Sequence, residues 1–437
     1  MKQMYKVFSL VIIMHTSIIF AQNSTILRGV YLFGRGDVNF GQMKDSLHLN
    51  SFQTTTGYAG NETQDNLALH NYAGLKVYNQ RQYLATQSSA QRMVYQAEQV
   101  EDLTYTKNIF AEKHPNIHLE NFNIYVSPPA PAGYMVKSAA PNYEYHYGDR
   151  GTNYYASFRL KVDGGSSSTQ VADCIVYCLN TNSLLAYKQV LVSDLSPVGS
   201  YHDVVVQFTL DPAPTNPASG NIAKMLTGGT VQSTQSSSCT NVDLQVYWNG
   251  NVTTYLDRVT VEDELAVALF NGANDNAIMQ DASQFTANNY PLHDKFYLVD
   301  EPPVSAFLGF NYVGNLIKNT LGNIPQAGTV AANYYAFERF LNDGTPYQLM
   351  VDIYPITSDI PHPSITDNIV ANAAGIATWD YNIYLDSLQS KVDHNFLPNI
   401  RSATNAAHVN GKPLILIPQL HGVIDQRTST YKRHLKN

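Results

Sequence analysis

Apolar residues along this chain fall into two kinds of run. Near both ends, short apolar strings finish in polar residues and alternate with stretches of helical period. In the middle, apolar and polar positions alternate one by one. At the N-terminal side, Arg28–Gly34 (RGVYLFG), Leu49–Thr54 (LNSFQT) and Leu75–Gln80 (LKVYNQ) read as buried strands. Phe40, Met43 and Leu47 share one face of a helix over Phe40–Leu49, and Asp65–Tyr72 is a second helix that stops near Gly74. Strands and helices in strict alternation predict a parallel α/β sheet.

The pattern then changes. Val126–Asn142 (VSPPAPAGYMVKSAAPN), rich in Pro and Ala, reads as a linker. From Tyr143 to Glu264, runs such as Tyr154–Val162, Val171–Leu179, Asp203–Leu210 and Val242–Trp248 are separated by clusters of Gly, Ser, Asn and Pro. That spacing predicts an antiparallel sandwich. From Leu265 the first pattern resumes. Lys295–Val299 (KFYLV), Tyr347–Ile353 (YQLMVDI) and Pro413–Ile417 (PLILI) are strands, with helices over Ala306–Asn319 and Asp380–Val392.

The predicted fold class is therefore α/β: a (β/α)8-type barrel split by an inserted antiparallel β-sandwich of jelly-roll type. Its parts are residues 22–140, the insert 141–264, and residues 265–437. Six parallel strands are legible, three on each side of the insert, where such a barrel has eight. Either the reading frame stops before two further units, or the sheet is open or closes as a smaller barrel. The tail Asp425–Asn437 (DQRTSTYKRHLKN) has neither period.

The first residues add a compartment. Lys2 and Lys6 precede the apolar run Val7–Phe20, and Ala21 supplies a small residue for cleavage, the order of a secretory signal peptide. The run is short for a bilayer span, and no later apolar stretch reaches that length. The mature chain is predicted to be secreted, periplasmic or held at the cell surface, and not membrane-spanning.

Composition narrows the ligand. Only 14% of residues are charged, the net charge is −8, and there are 30 tyrosines. A phosphate backbone needs a basic face, so nucleic acid is excluded as a partner. Nucleotide and serine-hydrolase motifs (GxGxxG, P-loop, GxSxG) and the HExxH and CxxC patterns are missing from the sequence. No nucleotide, cofactor or metal is expected. The cysteines are Cys174, Cys178 and Cys239. Cys174 and Cys178 lie roughly 13 Å apart on a regular strand, too far to bridge. Either can pair with Cys239, or all three are buried thiols.

In parallel α/β folds the site lies at the C-terminal ends of the strands. The residues there are Arg35, Gln53, Gln80, Asp300, Glu301, Asp352, Tyr354, Gln419 and His421. Most hydrogen-bond or carry an acid, as a sugar's hydroxyls require. Asp300-Glu301-Pro302 is the sharpest cluster, two acids after an apolar strand with a proline turn behind them. An alternative role is capping of the helix that follows. Here the chain resembles the clan-A (β/α)8 glycoside hydrolases, whose fourth strand ends in Asn-Glu-Pro. The resemblance implies Glu301 as general acid/base, with Asp300 standing where the family has the asparagine that contacts the sugar. It places a nucleophile at the end of strand seven, and no seventh strand is legible. Asp352 is the candidate to activate water in an inverting arrangement. Asp300, Gln53, Gln80, Tyr354, Gln419, His421 and Arg35 are the candidate substrate contacts.

The end of the insert, Val246–Gly250 and Tyr255–Glu264, resembles the last strands of galactose-binding-like jelly rolls that accompany glycoside hydrolases. Tyr247 and Trp248 are either core or a stacking platform. Asp257, Glu262, Asp263 and Glu264 are either a solvated acidic turn or ligands for calcium. The partner implied throughout is a carbohydrate.

Overall fold

The computed structural model describes residues 29–31, 45, 51–53, 76–79, 82–97, 112–120, 123–137, 153–210, 239, 242–283, 293–300, 302–321, 326–331, 337–353, 389–390, 392–418, 423–425 and 430–432. In chain order the strands begin with β1 (Gly29–Tyr31), β2 (Ser51–Gln53) and β3 (Lys76–Asn79). There follow β4 (Arg92–Gln96), β5 (Glu112–Lys113), β6 (His118–Glu120), β7 (Asn123–Val126) and β8 (Gly133–Lys137). The long strands are β9 (Tyr154–Val162), β10 (Gln170–Cys178), β11 (Ser183–Leu191), β12 (His202–Phe208), β13 (Val242–Trp248) and β14 (Thr254–Asp263). The chain closes with β15 (His293–Asp300), β16 (Gln326–Ala331), β17 (Leu349–Ile353), β18 (Leu414–Pro418), and the hairpin β19 (Val423–Asp425) and β20 (Thr430–Lys432). Five helices matter here: α1 (Gln82–Ser88), α2 (Glu264–Phe270), α3 (Asp275–Ser283), α4 (Phe307–Leu321) and α5 (Leu397–Val409).

One sheet has seven strands in the order β1-β2-β3-β15-β16-β17-β18, every neighbouring pair parallel. Spatial order follows chain order, as βα units stacked with one hand produce. Among the described residues β1 and β18 are not paired with each other, so a closed eight-stranded barrel is not shown. The six predicted strands are all present; the seventh, β16, lies between two of them. Its sequence QAGTVA offers one large apolar side chain, too little for a pattern in the sequence. Burial on both faces explains the strong neighbours: Phe296, Tyr297, Leu298 and Val299 on β15 are all buried. Phe296, Leu298 and Val299 join a core with Phe307, Phe310 and Val313 of α4, Leu269 of α2 and Ala403 of α5.

Among the described residues β19 and β20 pair only with each other, while strands β4 to β14 form the antiparallel sandwich. Its sheets run β11-β10-β13-β8-β5 and β12-β9-β14-β7-β6, with β4 also on β14. On β9 every second residue from Tyr154 to Val162 is buried, the period of a strand with one wet face. Trp248, Phe158, Tyr154 and Leu160 fill the space between the sheets. Two sequence expectations change here. Strands β4 to β8 already belong to the sandwich, so its strands start upstream of residue 141. The expected linker 126–142 contains β8, which pairs with β13; Pro128, Pro129 and Pro131 precede that strand.

Cys178 bridges to Cys239, and Cys174 is a buried free thiol. No described helix is long and apolar enough to cross a membrane. The signal peptide and the helices at 40–49 (Asp45 excepted) and 65–72 lie outside the described residues.

Candidate functional site on the outer face of the five-stranded sheet

Strands β10 and β13 are central, and period two divides each into an inward and an outward set. Cys174, Val176 and Cys178 on β10, and Leu244, Val246 and Trp248 on β13, point into the sandwich core. The outward sets are Asp173, Ile175 and Tyr177 on β10 and Asp243, Gln245 and Tyr247 on β13. An outward face should be wet, yet Asp173 and Asp243 are 0% exposed and Gln245 1%. Acids and amides at that depth need partners.

Register arranges these groups in rows across the sheet. One row is Tyr187 on β11, Ile175, Gln245 and Lys137 on β8. The next is Gln189, Asp173, Tyr247 and Tyr134. A third pairs Tyr177 with Asp243. Along the strand, Asp243 and Tyr247 are four residues, roughly 13 Å, apart. The face is thus an elongated strip with aromatic flanks and a polar floor. Tyr187 is 46% exposed at one edge. At the other edge Tyr134 and Tyr247, both half-buried, meet edge to face with centroids 5.3 Å apart.

Hydrogen bonds fix the floor. Asn249 Nδ2 and Gln170 Nε2 each donate to Asp173 Oδ2 at 3.2 Å. Gln170 is itself tied down, its carbonyl accepting from Asn251 Nδ2 at 2.9 Å. Burial pushes the Asp173 carboxyl above the usual range, and those two amide donors partly offset it. Gln245 Nε2 donates to Asp243 Oδ2. Because a carboxylate can only accept, this bond sets the amide's orientation and leaves Oε1 as the free end. Among the described residues Oε1 is buried with no hydrogen-bond partner. Tyr177 OH donates to Asn182 Oδ1 at 2.5 Å. Burial, then the nearby Asp243, raise its phenol pKa. The floor therefore consists of fixed acceptors, one of them unfilled, which suits a ligand that brings hydroxyl donors.

The opposite sheet carries a second aromatic group. His118, Tyr125 and Tyr255 are cross-strand neighbours with centroids 5.1 Å apart in each pair and tilts near 30°. Lys161 Nζ lies 3.8 Å from the Tyr255 centroid and 5.4 Å from that of Tyr201. The ring faces are spent on one another and on the lysine. This row braces the sheet.

The strand-end residues are placed by backbone alone or not at all. Gln53, Asp300 and Asp352 end, or nearly end, β2, β15 and β17. Arg35, Gln80, Glu301, Tyr354, Gln419 and His421 lie outside the described residues. Asp300 is level with Thr329, and Thr329 with Met350, so Asp352 stands two strands over and two residues up. In a flat sheet that separates their Cα atoms by roughly 11–12 Å. The capping alternative for Asp300 does not hold. A 3-10 turn, Val304–Ala306, precedes α4, and its N-cap is Pro303.

The remaining sequence candidates resolve as follows. Trp248 is core, its indole Nε1 donating to the Val252 carbonyl at 2.8 Å, while Tyr247 faces outward. Asp257 pairs with Arg159 and Arg258, Glu262 with Arg92, and Asp263 accepts from Ala266 N as the N-cap of α2. These three are structural acids of β14, while Glu264 is exposed in the first turn of α2. The described residues contain no group of three or more His, Cys, Asp or Glu placed to hold a metal ion. Sequence reasoning missed Asp173, Asp243, Gln245 and Asn249. The signal was there in VDLQVYW, where Asp, Gln and Tyr alternate with Val, Leu, Val and Trp and so share one face.

No protein-family model matches the chain, and no curated protein does. Similar solved structures include the C-terminal CBM6 of LamC, a marine laminarinase from Zobellia galactanivorans, at 8% identity and TM-score 0.23, covering 39% of this chain and 98% of that one. The CBM22-1–GH10 modules of Clostridium thermocellum endo-1,4-β-D-xylanase 10B, complexed with xylohexaose, match at 10% identity and TM-score 0.21, covering 77% and 89%. The GH26-CBM35 β-(1,4)-mannanase of Podospora anserina matches at 10% identity and TM-score 0.18, covering 76% and 66%.

Proposed function

We propose that this protein binds a glycan along the outer face of the five-stranded sheet. The observation that carries the reading is the buried, hydrogen-bond-fixed acceptor floor with Gln245 Oε1 unfilled, flanked by tyrosines on both sides. A sugar hydroxyl donates to Oε1, and ring C–H surfaces rest on Tyr247 or Tyr187. The export expected from the N-terminal sequence, the low charge and the disulfide fit a ligand outside the membrane.

A second reading keeps chemistry at the parallel sheet. Its favouring observation is that β15 is the fourth strand, the place where the clan-A resemblance puts Glu301 and its neighbour Asp300. The strand that is seventh in order, β18, runs into Pro418-Gln419-Leu420-His421 and carries no acid there. The resemblance's nucleophile position is thus filled by an amide, which leaves Asp352 as the carboxylate for an inverting reaction. In that arrangement the acid and base carboxyls stand about 6.5–9.5 Å apart.

One experiment addresses both. The full chain is titrated with soluble oligosaccharides by calorimetry, and each mixture is assayed for new reducing ends. Tyr247→Ala and Gln245→Leu should each weaken binding about tenfold, the scale of a lost stacking or buried acceptor contact. Glu301→Gln should leave binding unchanged and remove any turnover. Binding that survives both face substitutions overturns the first reading; turnover that survives Glu301→Gln overturns the second.

A further inference from the structure

We infer that two copies of this protein associate edge to edge through β12, in antiparallel register centred on Val205.

The described sandwich has four sheet edges, and three of them are blunted. β5 is two residues long and β6 three. β11 is long, but its pairing with β10 slips at two places and it carries Lys188. Short strands, bulges and lysines are ordinary means of stopping a sheet from recruiting another chain. β12 has none of them. It runs seven residues, HDVVVQF, in unbroken register with β9 from His202–Leu160 to Phe208–Tyr154. Among the described residues it is paired on that one side only, which leaves the N–H and C=O groups of its other side without a strand partner. Its outward side chains, Asp203, Val205 and Gln207, are all exposed, Val205 by 47%.

The strand's own sequence selects the occupant. An extended peptide of almost any sequence can add to a free edge, but β12 is near-symmetric about Val205. Paired antiparallel about that residue, Val205 faces its own copy and Val204 faces the partner's Val206. Asp203 faces the partner's Gln207, whose amide is a donor for the carboxylate. A patch that meets itself in this way closes as a two-fold dimer, not as a filament. The pleat is kept. Val204 and Val206, 2% and 4% exposed, stay on the core side, while the two Val205 side chains cover each other on the outer face. Charge does not oppose the pairing. Asp203 already accepts from Arg159 Nη1 at 3.1 Å. The two copies of Asp203 stand four residues apart along the strands, roughly 13 Å, which exceeds the Debye length of about 10 Å at 0.1 M salt. The joined sheet runs β6-β7-β14-β9-β12 and continues through the same strands of the partner in reverse order. Strand pairing of this length buries less than the roughly 800 Å² per partner of a standard interface, so the dimer is weak, with a Kd on the order of 0.1 mM.

The test uses the full chain. Sedimentation from about 5 μM to about 1 mM, a range that brackets that Kd, should show the average mass rising toward two copies. Val205→Lys, at an exposed position, sets like charges face to face and should hold the chain monomeric with its circular dichroism unchanged. Two further variants read the register. Directly opposed residues of an antiparallel pair have Cβ atoms about 4.5–5.5 Å apart, near enough for a disulfide. Val205→Cys should therefore cross-link to its own copy under air oxidation, and Asp203→Cys, roughly 13 Å from its copy, should not. A mass that stays at one copy across the whole range overturns the inference and leaves the edge to a strand from another protein. A dimer that persists undiminished in Val205→Lys overturns it too, since the contact then lies elsewhere. So does Asp203→Cys cross-linking as fast as Val205→Cys, because the register is then wrong.

Discussion

At the scale of single residues, burial against charge decides the behaviour of the outer face. Asp173 is fully buried, and burial is the largest cause of its raised pKa, with the Asn249 and Gln170 amides acting the other way. A carboxyl whose folded pKa exceeds its unfolded value binds its proton more tightly when folded. Its contribution to stability is then greatest below the unfolded pKa of about 3.9 and is lost as pH rises through the folded value. Asp173 thus costs stability at neutral pH. Urea unfolding of the wild type and Asp173→Asn at intervals from pH 4 to pH 7 should show the difference. Wild-type stability should decline relative to the variant across the acid part of that range and then run parallel to it. If the gap between the two does not change with pH, Asp173 is not the group in question. The sequence concealed this residue because one acid inside VADCIVYC reads as an interruption of a strand. Only the period-two comparison with VDLQVYW shows that two interrupted strands place their polar residues on one shared face.

Elements were legible in proportion to how strongly large apolar side chains marked them. Strands β15, β17 and β18 are apolar on both faces, and KFYLV, YQLMVDI and PLILI stand out accordingly. β16 sits between β15 and β17 but is built from QAGTVA, whose small residues leave no apolar run to read. Helix α5 was missed for a related reason: Ala403, Ala406 and Ala407 form its buried face, and alanine is a weak mark of one. Missing β16 changed the functional reading. It made β18 look like a sixth strand, when it is the seventh, the one whose end should hold a nucleophile. The cysteines could be narrowed from strand geometry, which excluded a Cys174–Cys178 bridge, but the partner of Cys239 was decided only by position. Cys178 ends β10, with its Cα 5.8 Å from that of Cys239, while burial holds Cys174 as a thiol with a raised pKa. The Cys178–Cys239 bridge spans a sequence separation of 61 residues. By the loop-entropy account, closing such a loop stabilises the fold by about 4 kcal/mol. Cys239→Ala should therefore lower stability by roughly that amount, whereas Cys174→Ala should cost about 1 kcal/mol or less, the price of a small buried side chain. Equal losses from the two would show that the bridge adds nothing beyond its packing.

At the scale of the whole molecule, the sandwich and the parallel sheet are joined through packed side chains rather than through a flexible connection. β14 passes directly into α2, with Asp263 as the cap. Asp263 N donates to the Gln91 carbonyl at 3.1 Å, and Gln91 N donates to Asp263 Oδ2 at 3.2 Å. Ser305 Oγ donates to Gln91 Oε1 at 3.1 Å, and Val304 packs against both hydrophobic cores. The Arg92 guanidinium pairs with Glu262 and lies 3.7 Å from the Phe270 ring centroid. Val304 and Ser305 follow Asp300, the last residue of β15, by a few residues, so the joint lies close in sequence to the C-terminal end of that strand. Gly309 is the tightest point of this joint. A Cβ there would stand 2.6 Å from the Ala90 carbonyl oxygen, and Ala90 lies between α1 and β4. Helix propensity alone would favour Gly309→Ala by about 1 kcal/mol. The clash is with backbone, which cannot swing aside, so we expect the reverse: a loss of about 1–3 kcal/mol, the range of overpacked sites. The joint also predicts how the loss appears. If the two parts are one cooperative unit, calorimetry of the wild type shows a single transition and Gly309→Ala shifts all of it downward. Two wild-type transitions, only one of which responds to the substitution, would mean that the sandwich is carried by the sheet without being coupled to it.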